Sequence, residues 1–486
     1  MVGIGAWQPV ASQSNARTIT GTVTSYEEAS PLEGVTVNVK GSNKASGTQP
    51  DGVFYIEVGS KDSVLVFSYN GYQPQEVKLA GNNEYNISLH KGQAIQGNKA
   101  FSPTGKWRGV FTLNNGVEVP FNFVVKDTAG GQRLYLLNAE EKFESGIVKT
   151  TGDSLFVTLE PFENEFALAV RGDSLSGVLR KVNKTDSTPA ITIHASRYKG
   201  FRFLIPSTQP AADVSGTYDI TFLSPKGKDE KAVGLFTQDG NILRGTFLRI
   251  TGDSRYLEGV VDGNTFYLSS FIGSVPVFYK GTITKDGKLR GAIEGPRGSQ
   301  RFAGALNEGA ALPDPYTLTV LKNGYSKFGF SLPAADGKPI SLQDAKYRNK
   351  VVVVTITGSW CPNCIDEAAF LAPWYKANRQ RGVEIISIHY ERQTDSAYVQ
   401  QALTRFRNRF GIEYDQVLGG IADKQQVAES LPALNTFLAF PTTIFIDRQG
   451  KVAKIHTGYS GPATGKYYDA FVKEFNEEIN TLVTQK

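Results

Sequence analysis

Two cysteines occur in the 486 residues of this chain, Cys361 and Cys364, three positions apart in "TGSWCPNCIDEAAFLAP". A disulfide between such neighbours closes a very small loop, removes little chain entropy and joins nothing distant. The pair therefore serves redox chemistry or a metal. A structural zinc site needs four ligands, usually from a second Cys or His pair. The histidines are His90, His194, His389 and His456, and none forms such a pair. No metal site is expected. Thiol exchange remains, with one sulfur attacking and the other resolving.

The surrounding elements suit that chemistry. "KVVVVTI" is a continuous apolar run, as a buried central strand requires. A helical pattern begins at Pro362, and proline is favoured in a first turn because its missing N–H loses no bond there. Cys361 then faces unpaired backbone N–H groups and the positive end of the helix dipole, which favour a thiolate. Cys364 lies one turn on, close to its partner and less exposed. Downstream come a second buried strand, "VEIISIHY", and a helix carrying Tyr398, Leu403, Phe406 and Phe410. "TTIFIDRQGKVAKIHT" predicts a hairpin on a Gln-Gly turn. A last helix spaces Tyr467, Phe471, Phe475 and Ile479 four apart as one core-facing stripe. The order is βαβα–ββα.

From "FSLPAADGKPISLQDAKYRNKVVVVTITGSWCPNCIDEAAFL" through "AFPTTIFIDRQGKV", residues 316–486 resemble the TlpA/ResA branch of the thioredoxin superfamily. The resemblance implies an α/β thioredoxin fold, a central mixed sheet flanked by helices. It also implies an extracytoplasmic thiol–disulfide oxidoreductase acting on protein disulfides, more often as reductant and supplied by a membrane electron donor. Its redox-active disulfide stands in place of a cofactor. By position, Cys361 is the nucleophile, Cys364 the resolving thiol and Glu367 the acid beside them. Burial would raise the Glu367 pKa and suit it to move a proton; a solvated carboxylate on the helix surface is the alternative. Trp360, Phe440, Pro441 and Thr442 become the substrate-binding face, with Pro441 at the family's cis-proline position. Two residues depart from the pattern. Thr355 stands where thioredoxins proper carry a buried Asp, which leaves Glu367 as the proton carrier. Phe440 stands where a smaller residue is usual.

Upstream, the 50 glycines among many Tyr, Phe and Thr predict turn-rich β structure in several domains. In residues 18–92, "GVTVNVKG" and "GVFYIEVG" each place alternate apolar residues on one face, as half-buried strands do. Together with "VLVFSYNGYQPQEV" they resemble the carboxypeptidase-regulatory-like module, a transthyretin-like β-sandwich frequent in exported proteins of Bacteroidota. No histidine begins an H-x-x-E pair, so no peptidase is implied. Residues 104–207 and 213–307 form an internal repeat: "TGKWRGVFTL" recurs as "SGTYDITFLS", setting Gly105 on Gly216 and Trp107 on Tyr218. Both halves predict an antiparallel β-barrel or sandwich. The G-x-W opening of the first, Gly105 to Trp107, is similar to lipocalin-type barrels, whose aromatic plugs the floor.

A ligand cavity in this repeat makes the second functional reading, a binding β module with an accessory redox domain. A thiol peroxidase is the third, but no P-x-x-x-T-x-x-C precedes Cys361. Residues 1–17 form a lead-in compatible with a signal remnant that lacks a charged start. A net charge of +5 without a long basic run argues against nucleic acid, and no apolar stretch has the length of a membrane helix. Spending both thiols of the chain on one motif suits an oxidising compartment, periplasmic or otherwise extracytoplasmic.

Overall fold

The computed structural model describes residues 17–485 apart from 43, 50, 70, 93–101, 161, 183–187, 199, 205, 207 and 226. The lead-in up to residue 16, with its signal reading, lies outside the described residues, and Arg17 already begins a strand. The chain is mostly β, with a thioredoxin-fold domain at its C-terminal end. Two small sheets come first. One orders Val53–Val58, Arg17–Ser25 and Ile87–Leu89; the other orders Ala45–Gly47, Thr36–Val39, Val64–Ser68 and Gln75–Lys78. Strict alternation explains their packing. Phe54, Ile56 and Val58 point inward, while Tyr55 and Glu57 face solvent.

Eight antiparallel strands from Gly105 to Arg197 then close into a barrel, because Gly105–Thr112 pairs with both Glu118–Thr128 and Ile191–Arg197. Strands from Gly216 to Leu306 form a second circuit, joined where Glu230–Asp239 meets Ile242–Arg249. Trp107 is wholly buried in the first; its Nε1–H donates to the Pro103 carbonyl at 2.8 Å, and the Arg197 guanidinium lies 4.2 Å over the ring. Tyr218 holds the matching buried place in the second.

Stacked aromatic side chains occupy the middle of both circuits, and an open cleft lined by Tyr218, Ile283, Asp286 and Leu306 lies at one end of the second. In the first barrel Phe111 and Phe121 have ring centroids 4.5 Å apart; in the second, Phe247 and Tyr279 lie 4.9 Å apart. The first barrel even takes a plug from the second. Phe271, from the turn after strand Thr265–Ser270, packs 4.7 Å from Phe111 and 5.4 Å from Phe121. Hydrogen bonds from Asn138 to the Phe271 carbonyl and from Asn164 to the Gly273 carbonyl hold that turn in place.

The C-terminal domain has a five-stranded sheet ordered Asp415–Ile421, Val383–Glu391, Val351–Thr357, Thr442–Ile446, Val452–Thr457. The first three strands are parallel and the last two antiparallel. Strand Asp415–Ile421 and the short helix Lys424–Ser430 add to the expected order. "DQVLGGI" is half-buried and broken by two glycines, so it lacks the apolar run that marks the central strands. The last helix, Lys466–Thr484, buries Phe471, Phe475 and Ile479 as expected. Tyr467 leaves that stripe and packs instead against Val233, Leu248 and Ala310 of the second barrel and its exit. Among the described residues, no helix is long and apolar enough to cross a membrane.

If Phe271 plugs the first barrel, Phe271→Ala should destabilise the chain by about 3–5 kcal/mol. Urea unfolding followed by tryptophan fluorescence checks this, since Trp107 reports on that barrel. An unshifted midpoint would contradict the plug.

Candidate active site

Every residue of strand Val351–Thr357 is buried. Its C-terminal end meets helix Pro362–Asn378 and the start of strand Thr442–Ile446, so three backbone ends converge there. The connecting turn is fixed by an acid on the neighbouring strand. The fully buried Glu391 carboxylate accepts from the Ser359 N–H at 2.9 Å and from its hydroxyl at 2.7 Å, with His389 Nδ1 3.3 Å away.

Cys361 is the N-cap of the helix, with extended backbone at φ −93° and ψ 121°, and Pro362 follows in the first turn. Its sulfur accepts from the Cys364 N–H at 3.4 Å, and its thiol donates to the Phe440 carbonyl at 3.6 Å. Both thiols are free. Cys361 keeps 6% of its surface exposed and Cys364 none. Burial pushes the Cys364 thiol pKa well up, and contact with Cys361 adds to this; the Thr357 hydroxyl acts the other way.

The expected substrate face gathers around Cys361, except at one residue. Trp360 donates its Nε1–H to the Tyr390 carbonyl at 2.9 Å and meets the Phe440 ring edge-on at 5.4 Å. The Phe440–Pro441 peptide is cis, and the Pro441 carbonyl accepts from the Gly458 N–H at 2.9 Å. Thr442 differs in orientation: its side chain is wholly buried and its hydroxyl donates to the Ala439 carbonyl at 2.8 Å, so it braces the loop from within.

Glu367 is 2% exposed, which excludes the solvated-surface alternative. Thr355 donates its hydroxyl to one carboxylate oxygen and Thr443 to the other, each at 2.5 Å. Burial raises the Glu367 pKa from 4.5 to about 7, against the two hydroxyls, which pull it down. Thr355 thus occupies the expected acid's place and grips the acid that replaces it.

Four other polar residues shape this site and were not anticipated. Glu391 carries a faint local signal, an acid ending a largely apolar strand that it shares with Glu384, Ser387 and His389. Asp366 looks like an ordinary exposed helix residue in sequence, yet it pairs with Arg255 of the second barrel, and burial raises its pKa to about 7. Arg255 also pairs with Glu141 of the first barrel, and Asp253 accepts from the Gly461 N–H at 2.5 Å. No local pattern reveals partners so far apart along the chain.

The AhpC/TSA family matches residues 327–455, and the CarboxypepD_reg-like domain matches residues 19–99. The thiol-disulfide oxidoreductase ResA of Geobacillus thermodenitrificans is 30% identical over 142 residues, covering 29% of this chain and 72% of that protein. ResA of Bacillus subtilis is 29% identical over 138 residues, covering 28% and 69%. Among solved structures, a thiol-disulfide oxidoreductase from Bacteroides fragilis aligns with 31% of this chain and 99% of its own, at 20% identity and a TM-score of 0.24.

The folded chain holds a proton on Glu367 that the unfolded chain releases between pH 4.5 and about 7. Stability from this group is fully present below that window and lost as pH rises through it. Glu367→Gln, neutral at every pH, should therefore gain on wild type by about 3 kcal/mol once pH passes 7. Denaturant midpoints at about pH 4 and about pH 8 test this. A difference that does not change with pH would refute it.

Proposed function

The chain belongs, through its C-terminal domain, to the ResA-type thiol–disulfide oxidoreductases, and we propose that it reduces protein disulfides outside the cytoplasm through Cys361 and Cys364. One observation carries the reading. A single sulfur, that of Cys361, sits at a helix N-terminus with the Cys364 N–H on one side and the Phe440–Pro441 backbone on the other. Such a setting presents the sulfur to an incoming disulfide beside backbone able to receive a peptide.

The Cys361 thiolate attacks one sulfur of a substrate disulfide. That S–S bond breaks, and the other sulfur leaves with the electron pair and takes a proton. Cys364 then loses its proton and attacks the Cys361 sulfur. The Cys361–Cys364 disulfide forms and the second substrate thiolate departs. Two electrons have passed to the substrate. The second step needs a base, since burial holds the proton on Cys364. Glu367, close enough to act electrostatically on that thiol and with a pKa of about 7, takes it. The chemistry asks for no cofactor beyond the sulfur pair, but a thiol donor must recharge it. A membrane-borne reductant is the donor class the family resemblance favours.

The extracytoplasmic setting is supported by the use of both cysteines in one motif and by the N-terminal module's likeness to exported proteins. The direction is supported by the family resemblance.

Cys364→Ser should accumulate mixed disulfides on Cys361 that dithiothreitol releases, and Cys361→Ser should accumulate none. Glu367→Gln should slow the resolving step about a hundredfold, read by stopped-flow release of the second thiol. Against a glutathione series, a reductant should show a couple at about −230 mV or lower, and a value near −120 mV would reverse the assigned direction.

A further inference from the structure

The mouth around the Cys361 sulfur has three rims: the reactive turn Cys361–Asn363, the Phe440–Pro441 loop, and the Gly458–Gly461 loop bonded to Pro441. Residues 250–255 of the second barrel lie against two of them. With its oxygen and nitrogen assigned from the groups they face, the Asn363 side-chain amide, between the two cysteines, accepts from the Asp253 N–H at 3.0 Å and donates to the Asp253 carbonyl at 3.3 Å. Arg255 donates to the Pro362 carbonyl at 3.1 Å and pairs with Asp366 one turn on. On the third rim, Asp253 caps the Gly461 N–H.

The fit leaves no slack. Gly252 has φ +124°, and a β-carbon there falls 1.6 Å from the Asn363 side chain; a β-carbon on Gly458 falls 2.5 Å from the Ile250 carbonyl oxygen. The contact is also anchored from behind, since Arg255 is 9% exposed and shared with Glu141 of the first barrel. A buried cation held by two carboxylates does not swing away without leaving charge unpaired.

We propose that the 250–255 segment is a specificity-determining wall of the thiol site, closing the Asn363–Gly458 flank so that disulfides reach Cys361 along the Trp360–Phe440 side. With a whole barrel behind that flank, the site takes disulfides borne on narrow or protruding segments and disfavours those flanked by broad folded surface. Arg255 acts through the wall and is a positioning residue. The inference rests on the exchange reading above.

The test uses the full chain, recharged by dithiothreitol, with oxidised glutathione as the narrow substrate and insulin as the broad one. Arg255→Ala loosens the anchor. Gly252→Ala pushes the segment off Asn363 without removing a member of the ion cluster, which covers the case in which Arg255→Ala fails to fold. Each should raise the ratio of insulin to glutathione kcat/KM by about fivefold or more, chiefly through KM for insulin, and Arg255→Lys should restore part of the wild-type ratio. A purely structural role moves both substrates by the same factor, and that result overturns the wall while wild-type turnover stands. If wild type reduces neither substrate, the exchange reading falls and the wall with it.

Discussion

The Glu367 carboxylate sits between the hydroxyls of Thr355 and Thr443, in a pocket it shares with the buried Cys364 thiol. In such a place neither group ionises readily, because the charged form loses its water and gains only two hydroxyl donors. In the exchange proposed above, Glu367 is the group placed to take the Cys364 proton. The rest of the domain serves to keep that pocket dry. Strand Val351–Thr357 is buried on both faces, and helix Pro362–Asn378 lays Cys364, Glu367, Ala368 and Leu371 against it. The outer sulfur, at the N-cap one turn away, keeps the small exposure that Cys364 lacks.

A second constraint is the way the β domains are fixed to this one. Arg255 gathers Glu141, Asp366 and the Pro362 carbonyl, so one guanidinium ties both barrels to the reactive turn. Buried ion clusters add little net stability compared with an apolar contact, but removing one member costs about 3–5 kcal/mol, so they enforce one arrangement over others. Arg409 adds a second tie, donating to the Glu144 carbonyl at 2.8 Å and stacking on Phe143. The two barrels are themselves joined by the Phe271 plug. The β region is thus a support with one side set against the thiol site.

Much of this was legible beforehand where the physical cause is local. A continuous valine run followed by Cys-Pro specifies strand, turn and helix start within a dozen residues, which is why Cys361 and Cys364 fell where expected. Alternating strands and the Gly105/Gly216 repeat foretold two β units. The misses share a different cause. Strand Asp415–Ile421 is held by pairing with Val383–Glu391 and not by its own pattern. Thr442 was read from its place beside Pro441, but the turn directs its side chain inward. Tyr467 keeps its helical phase yet meets another domain.

Spacing, helix-start chemistry and apolar runs were enough to name the reacting sulfurs and the fold that carries them, because each acts over one turn or one strand. Which carboxylates are buried, what lies against the flank beside Asn363 and how aromatic side chains stack within the barrels were settled by packing between segments remote in the chain. Those partners are chosen by shape and by the cost of leaving charge unpaired, and neither quantity exists until the domains meet.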